Sequence, residues 1–241
     1  MLRRAERVLA LVLGLGGGLA AAPATATAHE ALSLPDAVNL EDEFVKGVFS
    51  PNFVPPTVGS YELPAVKRVA GFVLKDSTGR AVDTLRVTAG KVAVVSFIYT
   101  ACPERLGCPL ASLALQDLQG RLKDEGLDRD VVLLSISFDP GRDSPAQLAK
   151  YARIYGADPA FWRFMTAPST RVLEGMLESY GQDRAPIYDP RGRFTGRYSH
   201  VLKVFLLDRD GYIRNIYSAG FLVPDLVVND IKTVLGGRAR D

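Results

Sequence analysis

Two runs constrain this chain more than anything else in it. Residues 91–99 (KVAVVSFIY) and 131–138 (VVLLSISF) are almost continuously apolar, β-branched or aromatic, with a charge only at Lys91. Runs of this length and composition fit strands buried on both faces, the situation of central strands in sheets flanked by helices. Between them, residues 110–122 place Leu115, Leu118 and Leu122 at helical spacing. A strand, a helix and a second strand in that order describe a parallel crossover unit.

The other signals extend this unit. Residues 71–76 read as a strand entering a turn at Ser77-Thr78-Gly79. Ser144-Pro145-Ala146-Gln147 supplies an N-cap, a first-turn proline and a capping-box partner, opening a helix to about residue 155. Residues 169–180 and 224–235 read as further helices. Residues 201–207 and 212–217 flank an Asp208-Arg209-Asp210-Gly211 turn and form a hairpin. The expected fold is therefore α/β. It has a mixed sheet of four or five strands, helices on both faces and a C-terminal β-hairpin, the thioredoxin-like arrangement.

The N-terminal residues point to export. Arg3, Arg4 and Arg7 precede an uncharged stretch at 8–22, and Ala26-Thr27-Ala28 offers a small-residue cleavage site. That stretch is shorter than the ~20 residues that span a bilayer and is weakened by Gly14, Gly16, Gly17 and Gly18. Residues 1–28 are read as a signal peptide, with an uncleaved membrane anchor as the alternative. Residues 29–60, with Pro35, Pro51, Pro55 and Pro56, form an extended segment, and the folded domain covers 61–241. The expected location is the periplasm, an oxidising compartment. The formal charge of +2 becomes neutral once three arginines and one glutamate leave with the leader, so nucleic acid is not an expected partner. With two cysteines and two histidines, the chain cannot build a disulfide framework or a zinc ribbon.

Both cysteines fall in one loop, Cys102-Pro103-Glu104-Arg105-Leu106-Gly107-Cys108-Pro109, directly after a buried strand. Sites in open α/β sheets form at the carboxyl ends of strands. Pro109 suits a first helical position, which would set the Cys108 sulfur at a helix N-terminus and lower its pKa. A thiolate there serves either disulfide exchange or a soft metal ion. A purely structural disulfide, worth about 2–2.5 kcal/mol on a loop-entropy basis, is the plainer alternative. Nothing in the spacing brings His200 to these sulfurs.

Several segments, taken together, resemble the Sco/SenC family of copper chaperones. They are Phe72-x-Leu74-x-Asp76-x-x-Gly79-Arg80, Val94-x-x-Phe97-x-Tyr99-Thr100-x-Cys102-Pro103 with Cys108-Pro109, Ser137-Phe138-Asp139-Pro140-x-Arg142-Asp143-Ser144-Pro145, and Ser199-His200 ahead of Leu206-Leu207-Asp208-x-Asp210-Gly211. The resemblance implies a thioredoxin-like fold with copper held by Cys102, Cys108 and His200. Two thiolates and an imidazole suit Cu(I) and also accept Cu(II). It further implies that Asp139 orients a ligand or influences cysteine redox state, unless Asp139, Arg142 and Asp143 only build the loop before the Ser144-capped helix. The implied client is a cuproenzyme, the dinuclear copper site of cytochrome c oxidase, with an upstream copper donor and a thiol reductant as further partners.

Two departures stand out. The family spacing is C-x3-C, whereas five residues separate Cys102 from Cys108, and Ser199 stands where many relatives carry Asp. Cleavage after Ala28 would also leave His29 as a free N-terminal residue able to chelate Cu(II). The leading expectation is a copper carrier and not a turnover enzyme, so no catalytic residue is assigned. The alternative is a thiol-disulfide oxidoreductase keeping a client's copper-site cysteines reduced, with Cys102 and Cys108 as its redox pair. A third is a redox-sensing module.

Overall fold

The computed structural model describes residues 53–236. The signal peptide, most of the extended segment and His29 lie outside the described residues. Ten strands are present: β1 (Lys67–Arg68), β2 (Val73–Asp76), β3 (Ala81–Asp83), β4 (Val92–Ile98), β5 (Val131–Ser137), β6 (Trp162–Thr166), β7 (Ala185–Tyr188), β8 (Phe194–Ser199), β9 (Val204–Leu207) and β10 (Tyr212–Tyr217). Five α-helices accompany them: α1 (Thr84–Thr88), α2 (Cys108–Asp124), α3 (Pro145–Ile154), α4 (Thr170–Tyr180) and α5 (Pro224–Gly236).

The two apolar runs form β4 and β5, paired in parallel from Val92↔Val131 to Ile98↔Ser137. Every residue of both strands is buried, as double-sided coverage requires. Their serines do not break the core. Ser96 and Ser135 hydroxyls bond each other at 3.1 Å, and the Trp162 indole N–H donates to Ser135 at 3.0 Å, so these buried polar atoms are satisfied. β6 extends the parallel set beside β5, while β9 adds antiparallel to β4 and β10 to β9, the expected C-terminal hairpin.

The main sheet runs β1-β10-β9-β4-β5-β6-β2-β3, eight strands and not four or five. The additional strands are short or disguised. β1 and β3 have two and three residues, and the five-residue β6 carries Arg163 at its second position. A separate ribbon, β7-β8, was also unexpected, because APIY contains proline and FTGRYS is largely exposed. α2 packs on β4, β5 and α5, and α3 packs on β6. Ser144 and Ser169 accept N–H bonds from Gln147 and Val172, so the expected cap of α3 is present and α4 has its own.

This topology gathers three chain segments at one end of the sheet. The β4–α2 loop carries the cysteines, the β5–α3 loop carries Asp139 to Asp143, and the β8–β9 link carries His200. Ser96↔Val204 is the last β4–β9 pair toward that end, which places the start of β9 beside the exit of β4.

Candidate metal centre

The cysteine loop is anchored before it begins. The Thr100 N–H and hydroxyl donate to Asp143 at 3.0 and 2.6 Å, and the Ser137 hydroxyl donates to the same carboxylate at 2.6 Å. One buried acid thus ties the exit of β4 to the exit of β5. Burial pushes the Asp143 carboxyl up, and its three donors oppose that shift. Beyond Thr100 the chain turns, with the Cys102 N–H on the Tyr99 carbonyl at 3.2 Å and the Gly107 N–H on the Glu104 carbonyl at 2.9 Å. The inner turn spans Glu104 to Gly107, and Leu106 within it is exposed.

Cys102 and Cys108 are both reduced, and the longer spacing does not part them: each sulfur lies close enough to shift the pKa of the other. Gly107 makes room for this approach, because a β-carbon there would lie 3.3 Å from the Cys102 sulfur and 3.2 Å from the Glu104 carbonyl oxygen. Cys108 is the first residue of α2, with Pro109 second, so proline sits one position later than expected. Cys108 is fully buried and its sulfur accepts the Tyr99 N–H at 3.4 Å.

The acidity expected of Cys108 belongs to Cys102. The Cys102 thiol, when protonated, is 3.9 Å from the Glu104 carbonyl oxygen. The Cys108 thiol, then the backbones of Cys108 and Glu104 and the Tyr99 side chain, all favour a charged Cys102 sulfur. Together they overcome burial and hold its pKa down at about 6. Burial and the adjacent Cys102 sulfur instead push Cys108 well up. The helix N-terminus does act on a sulfur, but the first amide of α2 points at the preceding cysteine. The two thiols titrate as a coupled pair, with Cys102 the more acidic member and Cys108 the less acidic.

His200 lies on the other side of Tyr99. Its ring packs on Phe138 and Tyr99 at centroid distances of 4.8 and 6.0 Å. Nδ1 faces the Tyr198 carbonyl at 3.5 Å, whereas Nε2 is buried and has no hydrogen-bond partner. One imidazole nitrogen of His200 thus faces a carbonyl while the other is buried and open to a further partner. Among the described residues, however, no three His, Cys, Asp or Glu side chains stand together at metal-binding distance. The structure brings the two sulfurs together and packs His200 on Tyr99, the last residue before the turn that leads to them.

Asp139 touches neither cysteine in the contacts it makes. It accepts the Arg142 guanidinium at 2.5 Å and the Tyr198 hydroxyl at 3.2 Å. Arg142 also donates to the Gly196 carbonyl and lies 5.4 Å from the Phe194 ring centre, pinning ribbon β7-β8 to the β5–α3 loop. Gly196, with φ of 80°, is where that contact needs glycine, since a β-carbon would fall on the guanidinium. Asp139 therefore reaches His200 indirectly, by holding Tyr198. Tyr99, Gly107, Asp143 and Tyr198 were not singled out as site residues from sequence. Only their position beside the cysteines, Asp139 or His200 could have marked them.

Comparison with known proteins identifies the family and the fold. The family model SCO1/SenC matches residues 62–236. The chain belongs to that family. Among curated relatives of this SCO1/SenC protein, the SCO1 protein homolog of Bacillus subtilis (strain 168) is 31% identical over 172 residues, covering 70% of this chain and 84% of the relative. Among solved structures, BsSco is described as a member of the Sco family of cytochrome c oxidase assembly proteins with a disulfide switch. It superposes with a TM-score of 0.58 at 28% identity, covering 72% of this chain and 96% of its own. Arabidopsis thaliana ScoI, solved with copper bound, gives a TM-score of 0.59 at 20% identity over 70% of this chain and 98% of its own. These relatives share the thioredoxin-like fold of this SCO1/SenC chain.

Proposed function

We propose that this protein is an exported copper carrier, with Cys102, Cys108 and His200 as the ligands of its cargo. The observation that carries the reading is the buried, unpartnered Nε2 of His200 packed beside Tyr99, the residue whose carbonyl accepts the Cys102 N–H and whose N–H donates to the Cys108 sulfur. Two sulfurs and an imidazole form a soft donor set matched to Cu(I). Copper bound in a related fold, and the family membership of this chain, support the choice of metal. Loading requires His200 to close on the sulfur pair and Cys108 to lose its proton. The client we favour is the dinuclear copper site of cytochrome c oxidase, in keeping with the description of BsSco. An upstream copper donor and a thiol reductant complete the cycle. The location we assign is the periplasm, with anchoring by an uncleaved residue 1–28 segment as the variant form. Among the described residues no helix is long and apolar enough to cross a membrane.

The test is an anaerobic Cu(I) titration of the reduced protein against a competing chelator, compared with Cys102→Ser, Cys108→Ser and His200→Ala. One copper per chain, lost in either cysteine variant and weakened in the histidine variant, supports the carrier. Binding that ignores His200 refutes the ligand set.

The asymmetric cysteine pair favours a second reading, thiol-disulfide exchange with a client. The Cys102 thiolate would attack one sulfur of a client disulfide, and the client's other sulfur would leave as thiolate. Cys108, giving up its proton, would then attack Cys102, releasing the client as a dithiol and leaving a Cys102–Cys108 disulfide. His200→Ala separates the two readings, because it removes a copper ligand and leaves both sulfurs in place.

A further inference from the structure

The opposite end of the sheet holds an unrelated feature. A cavity of about 420 Å³ opens among Arg86 of α1, Lys91 just ahead of β4 and Arg163 of β6, against the side chains of Val87 and Val132. Lys91 and Tyr99 bracket β4, and at ~3.3 Å per residue they stand roughly 26 Å apart, so this cavity is remote from the cysteine loop.

The charges around it are unbalanced. The one carboxylate in the lining, Asp83, already caps α1 by accepting the Leu85 N–H at 2.9 Å. Asp130 and Asp158, the acids next to β5 and β6 in sequence, are held by Arg209 at 2.7 Å and Lys123 at 2.6 Å. Among the described residues Arg86, Lys91 and Arg163 take part in no ion pair. Arg163 Nε is also shut off from solvent without a hydrogen-bond acceptor. A charged donor left in that state costs free energy, and three cations around one cavity repel each other. Both penalties vanish when an anion with several acceptor oxygens enters.

We propose that this cavity is a binding site for a phosphate group. A phosphate dianion matches three cations facing one occupied carboxylate. It offers paired oxygens to the guanidinium of Arg163 and a point charge to Lys91, the geometries these side chains prefer. The apolar walls of Val87 and Val132 leave room for the group that carries the phosphate. The same chemistry is presented by soluble phosphate and by the phosphomonoester headgroup of phosphatidic acid.

Two arms of one experiment separate those sources, using the full chain at constant ionic strength. In the first, inorganic phosphate is titrated by calorimetry. In the second, the protein is pelleted with vesicles of phosphatidic acid in phosphatidylcholine or of phosphatidylcholine alone. Each arm is repeated with Arg163→Gln and with the surface variant Arg86→Gln. The expected result is saturable one-site binding, weakened at least tenfold by Arg163→Gln and severalfold by Arg86→Gln. Phosphate titration alone identifies a soluble ligand, and variant-sensitive pelleting with phosphatidic acid identifies a headgroup. Without ligand, Arg163→Gln should melt no lower than the parent, because it removes an unpaired charge. Absence of saturable binding in both arms, or binding that neither variant weakens, overturns the proposal.

Discussion

Replacing Cys108 with alanine removes the largest of the contacts that keep Cys102 acidic. The backbones of residue 108 and Glu104 and the Tyr99 side chain remain, so acidity should be reduced, not abolished. A hydrogen bond to a charged group contributes about 1.5–3 kcal/mol, and a thiol is a weak donor, which places this one at the lower end. At 1.36 kcal/mol per pKa unit, the midpoint of Cys102 should rise by about one pH unit. A rate at pH 7 alone would hide most of this, because the thiolate fraction would fall only from about 0.9 to about 0.5. At pH 6 it falls about fivefold. The assay is therefore a full pH profile of iodoacetamide alkylation, anaerobic and metal-free, with the labelled site located by mass spectrometry. The parent should titrate near pH 6 at Cys102, with buried Cys108 unlabelled. Cys108→Ser, which keeps a donor, should stay closer to the parent than Cys108→Ala. A parent midpoint at the ordinary thiol value near 8.5, or first labelling at Cys108, would refute the assignment of Cys102 as the more acidic thiol.

The same structure predicts three further outcomes. His200→Phe should keep or raise stability by up to about 1 kcal/mol in urea unfolding, since it removes the unpartnered Nε2 while still packing on Phe138, and it should weaken copper binding. Asp143→Ala should cost about 1–3 kcal/mol by stranding the buried Thr100 N–H and two hydroxyls, whereas Asp143→Asn, which retains an acceptor, should cost less. The pH dependence follows from opposite shifts in the two cysteines. Cys102 is depressed on folding, so its contribution is complete above the unfolded thiol value and is lost as pH falls through about 6. Cys108 is raised, so its effect opposes folding once pH exceeds the unfolded value. The stability difference between the reduced parent and Cys102→Ser should therefore grow between pH 6 and pH 8, by at most about 1.4 kcal/mol per pH unit.

What the sequence revealed follows the strength of local signals. β4 and β5 were legible because seven consecutive buried positions leave a run that no exposed strand would carry. The α3 cap was legible because Ser144, Pro145 and Gln147 act within one turn. β6 was not, since its partners β5 and β2 lie far along the chain, and β7 and β8, although they pair with each other across a short connection, carry no run or alternation of their own. The site divides in the same way. Cys102 and Cys108 announced themselves by chemistry and by their place after a strand, but the direction of their asymmetry did not. Which sulfur an amide points at depends on the turn closed by Gly107 and Glu104, and which sulfur is buried depends on where α2 begins. His200 could be reached only through family resemblance, because its approach depends on β9 pairing beside β4 and on a ribbon the sequence concealed.

That concealed ribbon bears on how a carrier of this design could both hold and release its cargo. The two sulfurs are assembled on rigid ground, between the Asp143 clamp on Thr100 and the first turn of α2. His200 hangs from a different support, the end of β8. That support is attached to the β5–α3 loop through Arg142 on Gly196 and Tyr198 on Asp139. Loading therefore needs movement of one ligand toward two that are already in place, which limits the ordering cost to a single side chain and its strand end. Release is the reverse, and it leaves the sulfur pair intact to exchange with a client thiol or to close as a disulfide. In this arrangement Asp139 bears on His200 through the position of Tyr198, and neither cysteine is among its hydrogen-bond partners. The five-residue cysteine loop is accommodated by the Glu104–Gly107 turn, which leaves residues 103–106 exposed to solvent.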